Sequence, residues 1–132
     1  MREILFRAKS ASRDNPEWVE GYYAFDGTHW IDRMSEEYPG HTESIPINPE
    51  TLGQFTGLTD KNGVKIFDGD IITQHKDDWG QPPFIRIVFW SDETYSFRIS
   101  SPLLDNGNNI DKNDVIEVIG NIYDNPELLG GE

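Results

Sequence analysis

The chain has 132 residues, enough for one compact domain or two small modules, and carries 24 acidic against 11 basic residues, a formal net charge of -13. It has no cysteine, which excludes disulfides, thiol catalysis and zinc sites built on thiolates. Its bases are scattered among the acids, which disfavours binding to a phosphate backbone or an anionic membrane, and argues for a soluble surface.

The opening Met1-Arg2-Glu3-Ile4-Leu5-Phe6-Arg7 is broken by charge before an apolar stretch develops, so no signal peptide is expected. No apolar run approaches the ~20 residues that span a bilayer, so no membrane partner is expected and the reading is cytoplasmic. Residues 2–8 read as a first strand, with Ile4 and Phe6 on one face. Trp18–Phe25 and Thr28–Arg33 flank Asp26-Gly27, a two-residue hairpin signal. That register places Tyr23 opposite Trp30 as a cross-strand aromatic pair, with Ala24 facing His29 and Phe25 facing Thr28. Residues 34–42 form a polar loop around Pro39-Gly40. Residues 44–50 carry Pro46 and Pro49, which confines them to extended or edge structure.

Further along, Asp60-Lys61-Asn62-Gly63 is a hairpin loop with glycine placed for a left-handed residue, and Asp68-Gly69-Asp70 is a tight turn. Residues 76–83 read as a loop. Phe84–Trp90 is an apolar strand with Ile85, Ile87 and Phe89 on one face. Residues 94–100 alternate with period two, directing Tyr95, Phe97 and Ile99 to one side. Residues 101–114 are polar loop. In the last strand, Val115–Tyr123, Ile116, Val118 and Ile122 point inward and Gly120 marks a bulge or a close contact. Asn125-Pro126-Glu127-Leu128-Leu129 reads as an N-cap followed by one helical turn, with at least one leucine docked on the sheet. The fold class is mostly β, a small barrel or roll with little helix.

Chemistry-bearing residues are present, but none has the spacing of a site. His29, His41 and His75 are far apart in sequence and better read as surface and strand-end residues than as zinc ligands. The stretch 105–111 lacks the glycine and glutamate of a calcium loop. Asp68 and Asp70 suit turn chemistry better than an acid/base pair, having no positioned partner. No catalytic residue, metal site or cofactor is expected. The aromatics Trp18, Tyr22, Tyr23, Trp30, Trp79 and Trp90 are core residues as a group. A hairpin cannot bury both faces, however, so Tyr22 or Tyr23 is left for a surface. Residues 111–132 are acidic, and Glu117 points outward. Tyr22, Tyr23, Trp30, Glu117 and Asp124 are therefore the candidate interaction surface.

Several blocks carry a likeness. They are Arg2-Glu3-Ile4-Leu5-Phe6-Arg7, Trp18-Val19-Glu20-Gly21-Tyr22-Tyr23, residues 53–63 continuing through Ile66-Phe67-Asp68-Gly69-Asp70-Ile71-Ile72, and residues 117–129. In these the chain resembles the YopX family of bacterial phage and prophage proteins, from residue 2 to 129, with variable loops at 33–46 and 76–114. The resemblance implies a phage-derived protein of the bacterial cytoplasm with an SH3-like barrel in its C-terminal part. It supplies no activity and no catalytic residue. The expected organisation is a β-hairpin region at 1–50 and a barrel region at 51–132, or one compact unit of both. The expected function is a non-catalytic protein-binding module with an unidentified protein partner, and a homo-oligomer is compatible with it. The alternatives are a nucleic-acid-binding small barrel and an enzyme whose site is assembled from distant loops.

Overall fold

Eleven short strands and two 3₁₀ turns account for the regular structure of a computed structural model that describes residues 4–75, 84–91, 96–100, 108–109 and 115–129. The strands pair antiparallel. The mostly β class read from the sequence is the class that forms. The chain divides into two units, residues 1–55 and 56–132.

The first unit contains β1 (Phe6–Lys9), β2 (Trp18–Phe25), β3 (His29–Met34), β4 (Thr42–Pro46) and the start of β5 (Gly53–Thr59), in the sheet order β4-β3-β2-β1-β5. One face buries Ala8, Val19, Ile31 and Ile47, with Phe6, Tyr23, Ile45 and Leu52 packed around them. Ile4, read as sharing the face of Phe6, lies before β1 and is exposed.

The hairpin register differs from the two-residue reading by one position. Phe25 pairs with His29, Ala24 with Trp30 and Tyr23 with Ile31, leaving Asp26, Gly27 and Thr28 as a three-residue loop. Tyr23 and Trp30 therefore lie on opposite faces and form no pair. The cause is the core. A slip of one residue turns a strand's whole apolar set to the other face. The two-residue register would place Ile31 opposite Tyr22, whereas in the observed one Ile31 is fully buried between Tyr23 and Ile45. Burial of such a side chain is worth about 1.5–3 kcal/mol. The Asp26 carboxylate supports the longer loop, accepting from the Thr28 amide (3.1 Å) and the Trp30 indole (2.9 Å).

The second unit contains β6 (Lys65–Phe67), β7 (Asp70–His75), β8 (Phe84–Ser91), β9 (Ser96–Ser100), β10 (Asn108–Asn109) and β11 (Val115–Asn121). The last five form an open sheet in the order β10-β9-β8-β7-β11. The expected barrel does not close among the described residues, since β10 and β11 end the order without pairing with each other. Ile66, Ile72, Val88, Ile99 and Ile116 make the core, with Val118 packed on it. On β8 the buried residue is Val88. Ile85, Ile87 and Phe89, read as sharing one face, do share the face opposite Val88 and are half-buried. A strand that is apolar at nearly every position does not reveal its core face by alternation; Val88 is selected by its neighbour Ile99 across the β8–β9 ladder. β10 lies inside the stretch read as a loop, and Trp79, Thr94, Tyr95 and residues 105–107 and 110–111 lie outside the described residues. The bulge expected near Gly120 is present, between Val118 and Gly120, and leaves Ile119 exposed. A Cβ on Gly120 would lie 2.5 Å from Oδ1 of Asn125, so a larger residue there would have to displace the Asn125 side chain. Pro126–Leu128 form the expected single turn, and Leu128 and Leu129 are half-buried.

One side of β11 pairs with β7, and the Asp60–Gly63 loop bonds to the other. The loop Asp60–Gly63 closes with the Asp60 amide donating to the Val64 carbonyl (2.8 Å), and Gly63 adopts φ +82°. The buried Asp60 carboxylate accepts from the amides of Asn62 (2.8 Å) and Val64 (2.9 Å) through Oδ1, and from the amide of Val118 (2.9 Å) through Oδ2. The Lys61 amide donates to the Ile116 carbonyl (3.0 Å). Burial pushes the Asp60 carboxyl up, but the amides of Val118, Val64 and Asn62 and the charge of Lys61 outweigh it and hold it below its ordinary 3.8. Because the folded value lies below the unfolded one, the stabilisation is complete above the unfolded value and is lost as pH falls through the folded value. Asp60→Asn is isosteric, yet either amide orientation turns an NH2 group towards a backbone N–H. We expect a loss of about 1–3 kcal/mol for the donor left unmatched, measured by denaturant unfolding at neutral pH. The variant should also lose part of the wild type's stability decline below about pH 4; parallel acid profiles would show that Asp60 is not linked to folding.

Candidate functional site

Strand β2 sets the first candidate surface. Val19, Gly21 and Tyr23 face the core, whereas Glu20 and Tyr22 face outward. Gly21 is buried, and the position takes glycine because a Cβ there would lie 2.3 Å from the carbonyl oxygen of Asp32. Tyr22 stands 68% exposed, opposite Asp32, whose carboxylate accepts from the Ser44 hydroxyl at 2.5 Å. Met34, 60% exposed, is the next outward residue on β3 after Asp32 and a diagonal neighbour of Tyr22 in the register. Towards the other end of β2, Trp18 is half-buried beneath the Arg7 guanidinium (4.9 Å from ring centroid) and the Lys9 ammonium (5.7 Å). Arg7 lies opposite Glu20. The outward face thus mixes aromatic rings with both signs of charge.

Tyr23 does not belong to that face. It packs on the core beside Phe6, stacks on His29 at 5.8 Å, and its hydroxyl lies 2.5 Å from Nδ1 of His29. Trp30 is on the outward side, half-buried, and tied to Asp26 by its indole N–H. This bond, then the Thr28 amide, holds the exposed Asp26 carboxyl below its ordinary value. Of the three aromatics put forward from the sequence, Tyr22 is the one that is both outward and largely exposed. The sequence reasoning passed over Met34 and Tyr38. The signal available for Tyr38 was an aromatic residue set immediately before Pro39-Gly40, a turn that leaves its first side chain in solvent.

Glu117 and Asp124 belong to the second unit. Glu117 is half-buried, 3.7 Å from the Lys61 ammonium, and accepts from the Asn62 side-chain amide (3.4 Å). Asp124 is exposed and accepts from Nδ2 of Asn121 (3.4 Å), whose Oδ1 in turn accepts from the amides of Tyr123 and Asp124. These acids shape the Asp60 loop and the final turn. Among the other titratable groups, Asp70 is buried and accepts from the Phe67 amide (2.7 Å), which is turn chemistry. His41 lies edge-on to Tyr38 in an exposed loop. Among the described residues no three His, Cys, Asp or Glu side chains gather as a metal centre would, and no helix is long and apolar enough to cross a membrane.

The architecture is that of a small all-β protein with two antiparallel sheets, the first bearing a mixed aromatic and charged outward face. The family model described as YopX protein matches residues 6–130, and the chain belongs to the YopX family. It is similar to a solved structure, the crystal structure of protein EF1440 from Enterococcus faecalis. The two share 29% identity over 98% of this chain and 99% of that one, with a TM-score of 0.57. No curated protein matches it.

The two adjacent tyrosines of β2 should separate cleanly in mutagenesis. Tyr22→Ala should leave stability within about 0.5 kcal/mol, as for an ordinary surface position. Tyr23→Ala should cost about 2 kcal/mol or more by opening the core beside Phe6 and Ile31. Chemical denaturation of both variants reads this; equal losses would mean that Tyr22 is part of the packing.

Proposed function

We propose that this chain is a non-catalytic protein-binding module, an accessory protein of a phage or prophage that works in the bacterial cytoplasm. The observation carrying the reading is Tyr22, 68% exposed on a paired central strand of the first unit's sheet. A large, rigid aromatic side chain held in solvent by a sheet is the kind of anchor that protein interfaces favour. Membership of the YopX family supports the phage setting through the resemblance described above. The non-catalytic part rests on the absence of a catalytic motif in the sequence and on the carboxylates themselves. Asp26, Asp60 and Asp70 each accept backbone amides and shape turns.

Nucleic-acid binding is the reading to test against it, because Arg7 and Lys9 stacked on Trp18 supply the cation and aromatic pair that single strands use. Glu20, opposite Arg7, and Asp32, opposite Tyr22, offset those charges on the same face, and the whole chain is at -13. Mobility-shift assays with mixed-sequence single- and double-stranded DNA near physiological salt should show no retardation. Micromolar binding that weakens with added salt would replace the protein-binding reading with the nucleic-acid one.

A further inference from the structure

We infer that the tip of the β3–β4 hairpin, from Met34 to His41, is the contact that selects the partner: Tyr38 and Met34 enter an apolar pocket on a protein whose pocket rim carries lysine or arginine. This deepens the protein-binding reading and rests on it.

The tip is built to hold an aromatic side chain in solvent. Tyr38 is 60% exposed, as is Met34 at the loop's start. Tyr38-Pro39-Gly40-His41 is a β-turn closed by the His41 amide donating to the Tyr38 carbonyl (3.1 Å). Pro39 sits at its second position, and Gly40, with φ +88°, takes the left-handed third position that a type II turn demands. The Ser35 amide donates to the His41 carbonyl (2.8 Å), closing the loop, and the Ser35 hydroxyl accepts from the Tyr38 amide (3.1 Å). His41 packs edge-on against the Tyr38 ring, with centroids 6.4 Å apart. Below the loop, Nε of Arg33 donates to Oε1 of Glu43 across the ladder at 2.8 Å. A loop braced at this many points loses little freedom on binding, and tyrosine gives a large contact area for few rotatable bonds.

Charge identifies the partner. Arg33 is the one lysine or arginine among residues 33–43, and it is engaged by Glu43. Glu36 and Glu37, both exposed and immediately before Tyr38, leave the tip net negative. An acidic pair beside an aromatic anchor repels nucleic acid and draws a basic protein rim, speeding encounter at low salt. Met34 also continues the outward face that carries Tyr22, so tip and face can meet one partner together.

The test is site-specific photocrosslinking of the full chain in the cells that naturally produce it, with p-benzoylphenylalanine in place of Tyr38 in one protein and of Tyr22 in another. The crosslinked partner is then purified and titrated calorimetrically against the unlabelled chain. We expect a protein adduct from position 38. We expect binding of the purified partner to fall at least about tenfold in Tyr38→Ala and to recover in Tyr38→Phe. The pair Glu36→Gln and Glu37→Gln should bind several-fold more weakly at low salt and converge on the wild type at high salt. An adduct from position 22 alone, with Tyr38→Ala binding that partner as the wild type does, overturns the tip and leaves the protein-binding reading standing. Crosslinking to nucleic acid, or no adduct from either position, overturns both.

Discussion

Asp60 joins three parts of the second unit through one carboxylate. One of its oxygens closes the loop that turns β5 into β6, and the other accepts the Val118 amide on the side of β11 away from β7. A strand at the end of a sheet ordinarily presents unpaired amides to solvent, an invitation to aggregation. Here a side chain and one backbone bond, from the Lys61 amide to Ile116, occupy that position. Ile116, buried in the core, and Val118, packed on it, are thereby fixed in register from both sides. The same arrangement explains why an acid can be buried at Asp60: three backbone donors replace its water.

The first unit is organised by a competition between a turn and a core. Asp26-Gly27 favours a two-residue hairpin, whose tight loop twists with the strands. Burying Ile31 requires three loop residues, and the core prevails, with Asp26 satisfying the Thr28 amide and the Trp30 indole that the longer loop presents. The surface follows from that outcome. Tyr23 turns inward to His29 and Phe6, Trp30 turns outward beside Asp26, and Tyr22 is left in solvent opposite Asp32. One residue of register thus decides which aromatics can reach a partner.

The surface features share a physical style. Short polar contacts lie beside the outward rings: Ser44 to Asp32 in the register next to Tyr22, the Ser35 hydroxyl at the Tyr38 amide, and Asp26 at the Trp30 indole. The acids of the second unit serve the fold as well as the charge. Glu117 is near Lys61 and Asn62, and Asp124 is tied to Asn121. Part of the acidity that looks like a featureless solvated surface in the composition is turn and loop chemistry, at Asp26, Asp60, Asp70 and Asp124.

The sequence by itself determined the elements governed by neighbours along the chain. Glycines and aspartates at 60–63 and 68–70 required turns, prolines at 46 and 49 kept their segment out of a sheet centre, Gly120 marked a bulge or a close contact, and Asn125-Pro126 started a final turn. The β class, the lack of any recognisable catalytic motif and the exposure of one residue of the Tyr22/Tyr23 pair were legible for the same reason. Which tyrosine it would be was not, because strand faces are set by what packs across the ladder. Only the tertiary structure chose Ile31 over the two-residue hairpin, set Val88 as the buried face of β8, and, among the described residues, left an open sheet, its β11 edge bonded by Asp60, in place of a closed barrel. Each of those choices turns on residues far apart in sequence, Asp60 and Val118 being 58 positions apart, and no local pattern records such a contact.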